Sequence, residues 1–226
     1  MRDLRGPKAG TGPKPMSTLQ NDRNKAIRAL DMRKVRRETG LFVAEGASVL
    51  ISAQEAGWQP ETLLYEPSGG QSPAVRGLIE LALKADSEVL EVTPAVLGKV
   101  ASKDNPQAIL GVFKQRWSVA PQAERIAEDG LWLVLEDVRD PGNLGTIIRT
   151  VDAVGASGVI LVGNCCDPYG RECIRATMGS VFAVPLVRMT REALLMWRAD
   201  WAGDVVGLPL SATHEFREAK YGGAGR

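Results

Sequence analysis

The stretch from Leu131 to Leu161 reads LWLVLEDVRDPGNLGTIIRTVDAVGASGVIL. An apolar run, a Pro-Gly turn, an amphipathic pattern and a second apolar run follow one another, which predicts strand, tight turn, helix and strand. Asp140, Asn143 and Arg149 lie at the turn and on the helix that follows it. Open α/β sheets place their chemistry beyond the carboxyl ends of strands. The stretch therefore predicts an α/β domain with a polar site at this turn.

The rest of the C-terminal half continues the same alternation of strands and helices. We predict strands over residues 132–138, 158–162, 183–186 and 205–210, and helices over residues 143–154, 172–178 and 191–201. This order is typical of a doubly wound sheet of mostly parallel strands. The second domain is expected to cover residues 131–226, after a polar linker over residues 118–130.

The N-terminal half predicts a smaller α/β domain, within residues 21–117. Strands are expected over residues 41–43, 62–65, 89–92 and 108–113, and helices over residues 47–56, 75–85 and 94–100. Residues 1–20 are rich in Gly, Pro and Lys and predict a disordered basic tail. Residues 21–38 predict one basic helix, with Ile27, Leu30 and the stem of Lys34 facing inward.

Charge is distributed unevenly along the chain. Residues 1–40 carry eleven Lys and Arg against four Asp and Glu, or +7, and the remainder carries seventeen against twenty-three, or −6. This asymmetry favours a polyanionic partner, RNA or DNA, although a solubilising tail beside an exposed helix face is an equal alternative.

Other features bound the class of protein. No apolar run reaches the length of a membrane helix and no secretory leader is seen, so we expect a cytoplasmic protein with no membrane partner. The three cysteines, Cys165, Cys166 and Cys173, form no C-x-x-C pair and have no neighbouring histidine. The sequence therefore predicts neither a metal site nor a disulfide framework.

The predicted helix after the turn carries the first candidate site. Its apolar stripe should pack on the sheet, and Asn143 is expected to cap its first turn. Free amides at its start and the Arg149 guanidinium would favour an anion such as a phosphate. The alternative is an ordinary capped helix with a solvated Arg149–Asp152 pair. Neither G-x-G-x-x-G nor G-K-[ST] is present, which disfavours a general nucleotide-binding protein.

A second segment, over residues 168–182, places Arg171 and Arg175 on one helical face before Gly179. Two neighbouring arginines suit phosphates, although a surface helix ended by glycine is an equal alternative. His214 is the only histidine and is expected in a solvated loop. The sequence shows no recognisable Ser/His/Asp catalytic arrangement.

Two of these segments resemble motifs of the SpoU (TrmH-like) RNA methyltransferases of the SPOUT class. DPGNLGTIIRT over residues 140–150 is similar to the first family motif, and RATMGSVFAVP over residues 175–185 is similar to the second. Residues 21–115, including FVAEG over 42–46, resemble the L30e-like substrate-binding domain that often precedes the methyltransferase domain. The resemblance implies an L30e-like α/β domain followed by a SPOUT-type parallel-sheet α/β domain.

The resemblance also implies an activity, namely transfer of a methyl group from S-adenosyl-L-methionine to a ribose 2′-hydroxyl of rRNA or tRNA. Asn143 and Arg149 match the family's catalytic pair. Because a guanidinium stays protonated, we expect Arg149 to grip a phosphate and stabilise alkoxide charge rather than act as a base. RNA contacts are expected from Arg28, Arg33, Lys34, Arg36, Arg37, Arg171 and Arg175, and cofactor contacts from Gly179, Leu208 and Leu210.

The third family motif, a G-N-E-x-x-G-like turn with an I-P-M strand and an S-L-N-V-S helix, is not found in the sequence. We therefore expect an incomplete C-terminal knot segment, and a homodimer through the SPOUT domain where that segment is complete. The alternative function is an RNA-binding protein without catalysis, or a truncated relative of the enzymes.

Overall fold

The computed structural model describes residues 14–15, 20–101, 107–122, 130–201 and 203–208. The helices of this part of the chain are α1 (Gln20–Ala29), α2 (Arg33–Thr39), α3 (Ala47–Glu55), α4 (Pro73–Lys84), α5 (Pro94–Val100), α6 (Pro141–Ala153), α7 (Arg171–Thr177) and α8 (Arg191–Ala199). The strands are β1 (Lys14–Pro15), β2 (Leu41–Glu45), β3 (Thr62–Tyr65), β4 (Glu88–Glu91), β5 (Ile109–Lys114), β6 (Trp132–Glu136), β7 (Gly158–Val162) and β8 (Leu186–Met189). No described helix is both long and apolar enough to cross a membrane.

The N-terminal unit, from β1 to β5, is built on a mixed sheet in the order β1-β4-β3-β5-β2. Strand β3 is parallel to β4 and antiparallel to β5, which pairs antiparallel with β2. Successive strand residues alternate between two cores: Phe42 and Leu63 face α3 and α4, whereas Val43 and Leu64 face α1 and α5. Helices thus cover both faces of this sheet.

The C-terminal unit, from β6 to α8, is built on a parallel sheet in the order β6-β7-β8. Every residue of the central strand β7 is buried, as expected of a strand covered on both faces. Leu144, Ile148 and Val151 of α6 pack with Val159 and Leu161 on one face. The opposite face, termed here the outer face, has a smaller core of three buried residues, Ile160, Val162 and Val187, partly covered by α8.

The two units share one apolar core. A cluster of rings, termed here the aromatic junction, consists of Phe42, Trp58, Phe113, Tyr169 and Phe182. The ring centroids of Phe42 and Tyr169 are 4.7 Å apart, and the Trp58 indole donates a hydrogen bond to the Phe182 carbonyl at 2.9 Å. Because these rings come from both units, the relative placement of the two sheets is fixed by buried packing.

The single helix predicted over residues 21–38 is wrong, since α1 ends at Ala29 and α2 begins at Arg33. The chain turns between them, and the Arg36 guanidinium donates hydrogen bonds to the freed carbonyls of Leu30 and Asp31 at 2.7 and 2.9 Å. Ile27 and Leu30 are buried as predicted, whereas Lys34 is exposed and pairs with Glu38. A buried arginine therefore takes the place of the inward lysine stem.

The predicted strand over residues 183–186 is also wrong. Ser180–Phe182 form a 3₁₀ turn closed by the Phe182 amide on the Gly179 carbonyl at 3.0 Å, and β8 begins only at Leu186. This turn directs the Phe182 ring into the aromatic junction. Pro185, which has no N–H, contributes only its carbonyl, which accepts from the Val159 amide.

Three further expectations fall partly on residues that are not described. The described part of the predicted strand over 205–210, up to Leu208, forms no strand, and His214 lies outside the described residues. In the predicted disordered tail, residues 14–15 form β1 on the free edge of β4, because an edge strand offers unpaired amides and carbonyls. In the predicted linker, residues 118–122 and 130 are described without helix or strand.

Candidate active site

Helix α6 begins one turn of chain after β6 and presents the predicted catalytic pair. Asp140, rather than the predicted Asn143, is the N-cap: its carboxylate accepts from the Asn143 amide at 2.6 Å. Pro141 at the first helical position explains this, because the residue before a proline is held extended and so can serve as the cap. The Asn143 side chain is thereby left exposed and available to a ligand.

The exposed ridge of α6 contains Asn143, Thr146 and Arg149, spaced three residues apart. The opposite side of the helix is buried on the sheet at Leu144, Ile148 and Val151, as the apolar stripe predicts. The Thr146 hydroxyl donates back to the Gly142 carbonyl at 2.9 Å. Asn143 and Arg149 therefore lie on one accessible ridge that begins at the carboxyl end of β6.

Helix α7 packs directly against α6 and brings the second motif to the first. A Cβ built on Gly145 would lie 2.5 Å from the Ala176 Cβ and 2.7 Å from the Cys173 carbonyl oxygen. Only a glycine allows so close an approach of the two helices. The closeness of the two helices therefore depends on a glycine inside the first motif.

The two arginines predicted to bind phosphates on α7 differ in their surroundings. Arg171 is largely buried, forms ion pairs with Glu45 and Asp31, and donates to the Val100 carbonyl at 2.6 Å. Arg175 is exposed on the same helix. Arg171 therefore joins α7 to the N-terminal unit, and its contact with RNA stays a prediction.

The predicted RNA-contacting residues of α1 and α2 also divide into two groups. Arg36 is 5% exposed and forms a 2.8 Å ion pair with Asp167, which gives it a structural role, and its contact with RNA stays a prediction. Arg28, Lys34 and Arg37 are exposed. Arg33 is exposed and donates to the Cys165 carbonyl at 3.1 Å, which places it beside the C-terminal unit.

A cleft of about 740 Å³ opens between the two units, next to the start of α6. Its walls come from α1, α2 and the end of α5 on one side, and from the chain around Arg139 and the start of α7 on the other. The lining residues are Arg28, Asp31, Arg33, Arg36, Gly98, Lys99, Ala101, Arg139, Pro141, Cys166, Asp167, Gly170, Arg171 and Glu172. Lys99 and Arg139 are functional candidates that sequence reasoning missed, because no pattern along the chain joins them to the basic residues of the segment 1–40.

The cysteines near this cleft are poor nucleophiles. Burial, with a smaller contribution from Cys165, raises the pKa of Cys166 to about 11, and burial raises the pKa of Cys173 further still. Both thiols are therefore protonated near neutral pH. Within the described ranges, no cluster of His, Cys, Asp and Glu side chains could hold a metal ion.

The three predicted cofactor contacts differ in how far the structure describes them. Gly179 is buried with φ +102°, and a Cβ built there would lie 2.7 Å from the Ser52 side chain, so its glycine serves the backbone turn and packing. Leu208 is 77% exposed at the end of the last described segment, and Leu210 lies outside the described residues. Their role as cofactor contacts therefore stays a prediction.

Comparison with known families assigns both halves of the chain. Residues 21–111 match a family described as an MRM3-like substrate binding domain, and residues 130–221 match the SpoU rRNA Methylase family. Among solved structures, the chain is similar to an AdoMet-bound rRNA methyltransferase from Sinorhizobium meliloti. The two are 40% identical, the match covers 93% of this chain and 77% of the other, and the TM-score is 0.82.

Two curated relatives have named activities. The chain is 32% identical to the 23S rRNA (uridine(2479)-2'-O)-methyltransferase of Streptomyces viridochromogenes, over 80% of this chain and 62% of the relative. It is 29% identical to the 23S rRNA (guanosine(2553)-2'-O)-methyltransferase of Bacillus subtilis, over 77% of this chain and 65% of the relative. The chain therefore spans about three fifths of the length of these relatives. The matched profiles and the identity to the Sinorhizobium meliloti enzyme show that this chain belongs to the SpoU rRNA methylase family.

Proposed function

We propose that the protein methylates a ribose 2′-hydroxyl of ribosomal RNA, with S-adenosyl-L-methionine as the methyl donor. The observation that carries this proposal is the ridge of α6, where Asn143 and Arg149 stand exposed in a complete first family motif. Curated relatives are named as 23S rRNA 2′-O-methyltransferases, and the Sinorhizobium meliloti relative holds AdoMet. These names support a catalytic protein over one that only binds RNA.

The chemical need at such a site is to make a weakly acidic hydroxyl attack an electrophilic methyl group. Arg149 remains a cation and so cannot accept the proton. In our proposal it holds a substrate phosphate and stabilises the negative charge that develops on the 2′-oxygen. The Asp140 cap fixes the backbone of Asn143 at the helix start, and the side-chain amide of Asn143 orients the ribose. The chain's contribution is thus mainly positioning and electrostatics.

The cofactor enters this proposal only through the relatives. Its sulfonium supplies the electrophilic methyl group when bound.

The proposal is tested by transfer of labelled methyl groups from S-adenosyl-L-methionine to rRNA by the full product of the gene. We expect Arg149→Ala and Asn143→Ala each to lower the rate by about 100-fold or more, as loss of one transition-state hydrogen-bond donor does. The matched control is Arg198→Ala, on exposed α8 at the outer face. An RNA linkage that resists alkaline hydrolysis next to the labelled nucleotide would identify the 2′-oxygen as the methylated atom, because alkaline cleavage needs a free 2′-hydroxyl. Full activity in Arg149→Ala would overturn the role given to Arg149.

Two further parts of the proposal concern assembly and location. We propose a homodimer through the C-terminal unit, supported by the exposed apolar side chains of Leu131, Val134 and Val154 on that unit. Light scattering should then give twice the mass of the chain, and a monomer at micromolar concentration would contradict the dimer.

We also propose that the protein works in the cytoplasm, where it would meet an rRNA substrate. Cell fractionation tests this location.

A further inference from the structure

The cleft between the two units carries a positive charge that the described residues do not neutralise. Six of its lining side chains are cationic and three are acidic. Two cations already have partners, since Arg36 pairs with Asp167 and Arg171 pairs with Asp31. The other four, Arg28, Arg33, Lys99 and Arg139, form no ion pair with any described residue. Facing them, only Glu172 among the acidic lining residues is unpaired, so the cleft favours an anion.

The same ion pairs hold the cleft open in a fixed shape. Arg36 is buried with Asp167, and it also ties down the turn between α1 and α2. Arg171 joins the start of α7 to Asp31, to Glu45 and to the end of α5 at Val100. One set of cations therefore builds the walls, and the other set is left for a ligand. A site formed before binding loses little entropy when the ligand arrives.

The lining indicates which part of a nucleic acid would enter. Among its described residues, the lining contains no aromatic side chain on which a base could stack, and its apolar surface comes from small residues such as Gly98 and Ala101. Arginine and lysine without aromatic platforms bind the phosphate backbone and carry no sequence information. The volume of about 740 Å³ lies within the range of about 300–1,000 Å³ typical of ligand sites.

The position of the cleft connects it to the proposed chemistry. Pro141, the first residue of α6, lies in its lining, and the ridge of Asn143 and Arg149 follows directly. Arg28 and Lys99 lie at the other wall, on the N-terminal unit. A strand lying in the cleft would therefore pass from the N-terminal unit to the start of α6.

We propose that this cleft is a track for the sugar-phosphate backbone of single-stranded RNA next to the methylated nucleotide, with Arg28, Arg33, Lys99 and Arg139 neutralising its phosphates. The inference rests on the RNA substrate proposed above and adds the surface that holds it. It assigns to Lys99 and Arg139 a binding role without base recognition. Affinity through the track depends on salt and is the same for all sequences.

The test is equilibrium binding of short oligouridylate and oligoadenylate to the full protein, followed by fluorescence anisotropy at several salt concentrations. The variants are the double substitution Arg28→Gln/Lys99→Gln and the single substitution Arg139→Gln, all at exposed positions. Matched controls remove the same charges elsewhere: Arg76→Gln/Lys84→Gln on α4, at the opposite face of the N-terminal sheet, and Arg198→Gln on α8.

Each lost phosphate contact should reduce the slope of log affinity against log salt by about 0.7, equivalent to about five-fold weaker binding at 0.1 M salt. We expect Arg139→Gln to reduce the slope by one such step and the double variant to reduce it by two. The reduction should be equal for both oligonucleotides, and the control variants should keep the slope of the unmodified protein. Equal behaviour of cleft and control variants would overturn the track. So would uridine monophosphate binding as tightly as the oligomer, since the cleft would then be a small phosphate site.

The measurement separates this inference from the proposed function. Oligonucleotide binding needs no methyl transfer, so the track survives even if labelling of rRNA fails. Conversely, rRNA labelling that is unaffected in Arg28→Gln/Lys99→Gln and Arg139→Gln would leave the proposed function standing and contradict the track.

Discussion

The two faces of the C-terminal sheet differ in how completely they are buried. The face toward the N-terminal unit is sealed by α6, α7 and the aromatic junction, where Phe42 and Tyr169 are almost completely buried. The outer face has only three buried residues, and α8 has none. The candidate site lies on the packed face, because Gly145, Ile148 and Arg171 are all fixed there. The N-terminal unit thus supports the C-terminal unit mechanically.

The most severe test of this contrast is Phe42→Ala, in the aromatic junction. Removing a fully buried ring that contacts rings of both units should lower the free energy of unfolding by about 4 kcal/mol. On the outer face, the half-buried Leu194 of α8 provides the comparison, and Leu194→Ala should cost about 1 kcal/mol. Denaturant titration measures both. Equal costs would remove the distinction between the faces.

Asp167→Asn tests the polar part of the same contact. The substitution leaves the Arg36 cation buried without its carboxylate partner, which should cost about 3 kcal/mol. The solvated pair of Arg191 and Glu136 near the outer face is the control, and Glu136→Gln should cost less than about 1 kcal/mol. Denaturant midpoints of the two variants give the comparison. A negligible loss in Asp167→Asn would show that the carbonyls of Leu30 and Asp31 suffice for Arg36.

Gly145→Ala sharpens the comparison at the level of helix packing. The added methyl group would meet the Ala176 Cβ and the Cys173 carbonyl, so α6 must move away from α7 at a cost of about 2 kcal/mol. Gly77, in the middle of α4, has nothing within 4 Å of a built Cβ, so Gly77→Ala should stabilise the protein by about 0.5 kcal/mol. Thermal unfolding should therefore shift in opposite directions. Shifts of the same sign would contradict the close approach of α6 and α7.

Among the substitutions on the packed face, the smallest loss of stability is expected at the N-cap of α6. Asp140→Ala removes the acceptor of the Asn143 amide and should cost about 1 kcal/mol, with a loss of methyl transfer because Asn143 loses its fixed position. Thr190 caps α8 in the same way through the Ala193 amide, so Thr190→Ala should cost a similar free energy and leave transfer unchanged. If methyl transfer fell equally in both variants, the N-cap of α6 would have no particular role in positioning Asn143.

Much of the fold could be predicted because its signals are local. The strand at residues 62–65, the helix at 94–100 and the strand at 158–162 are confirmed residue by residue, since each is a short apolar run or a proline-started helix between clear breaks. The errors have a common origin in contacts distant along the chain. The helix over 21–38 is broken where Arg36, held by Asp167 131 residues away, donates to the carbonyls of Leu30 and Asp31. The strand over 183–186 is displaced by the entry of Phe182 into the aromatic junction.

The sequence by itself determined the α/β class, the family and the exposed ridge of Asn143 and Arg149, because strand runs, helix stripes and motif residues are written in neighbouring positions. Only the tertiary structure decided which basic residues remain for a ligand. Arg36 and Arg171 are chemically the same as Arg28 and Arg139, yet the first two meet carboxylates more than a hundred residues away and the others face the open cleft. A charge is neutralised by what surrounds it in space, and that neighbourhood exists only after folding.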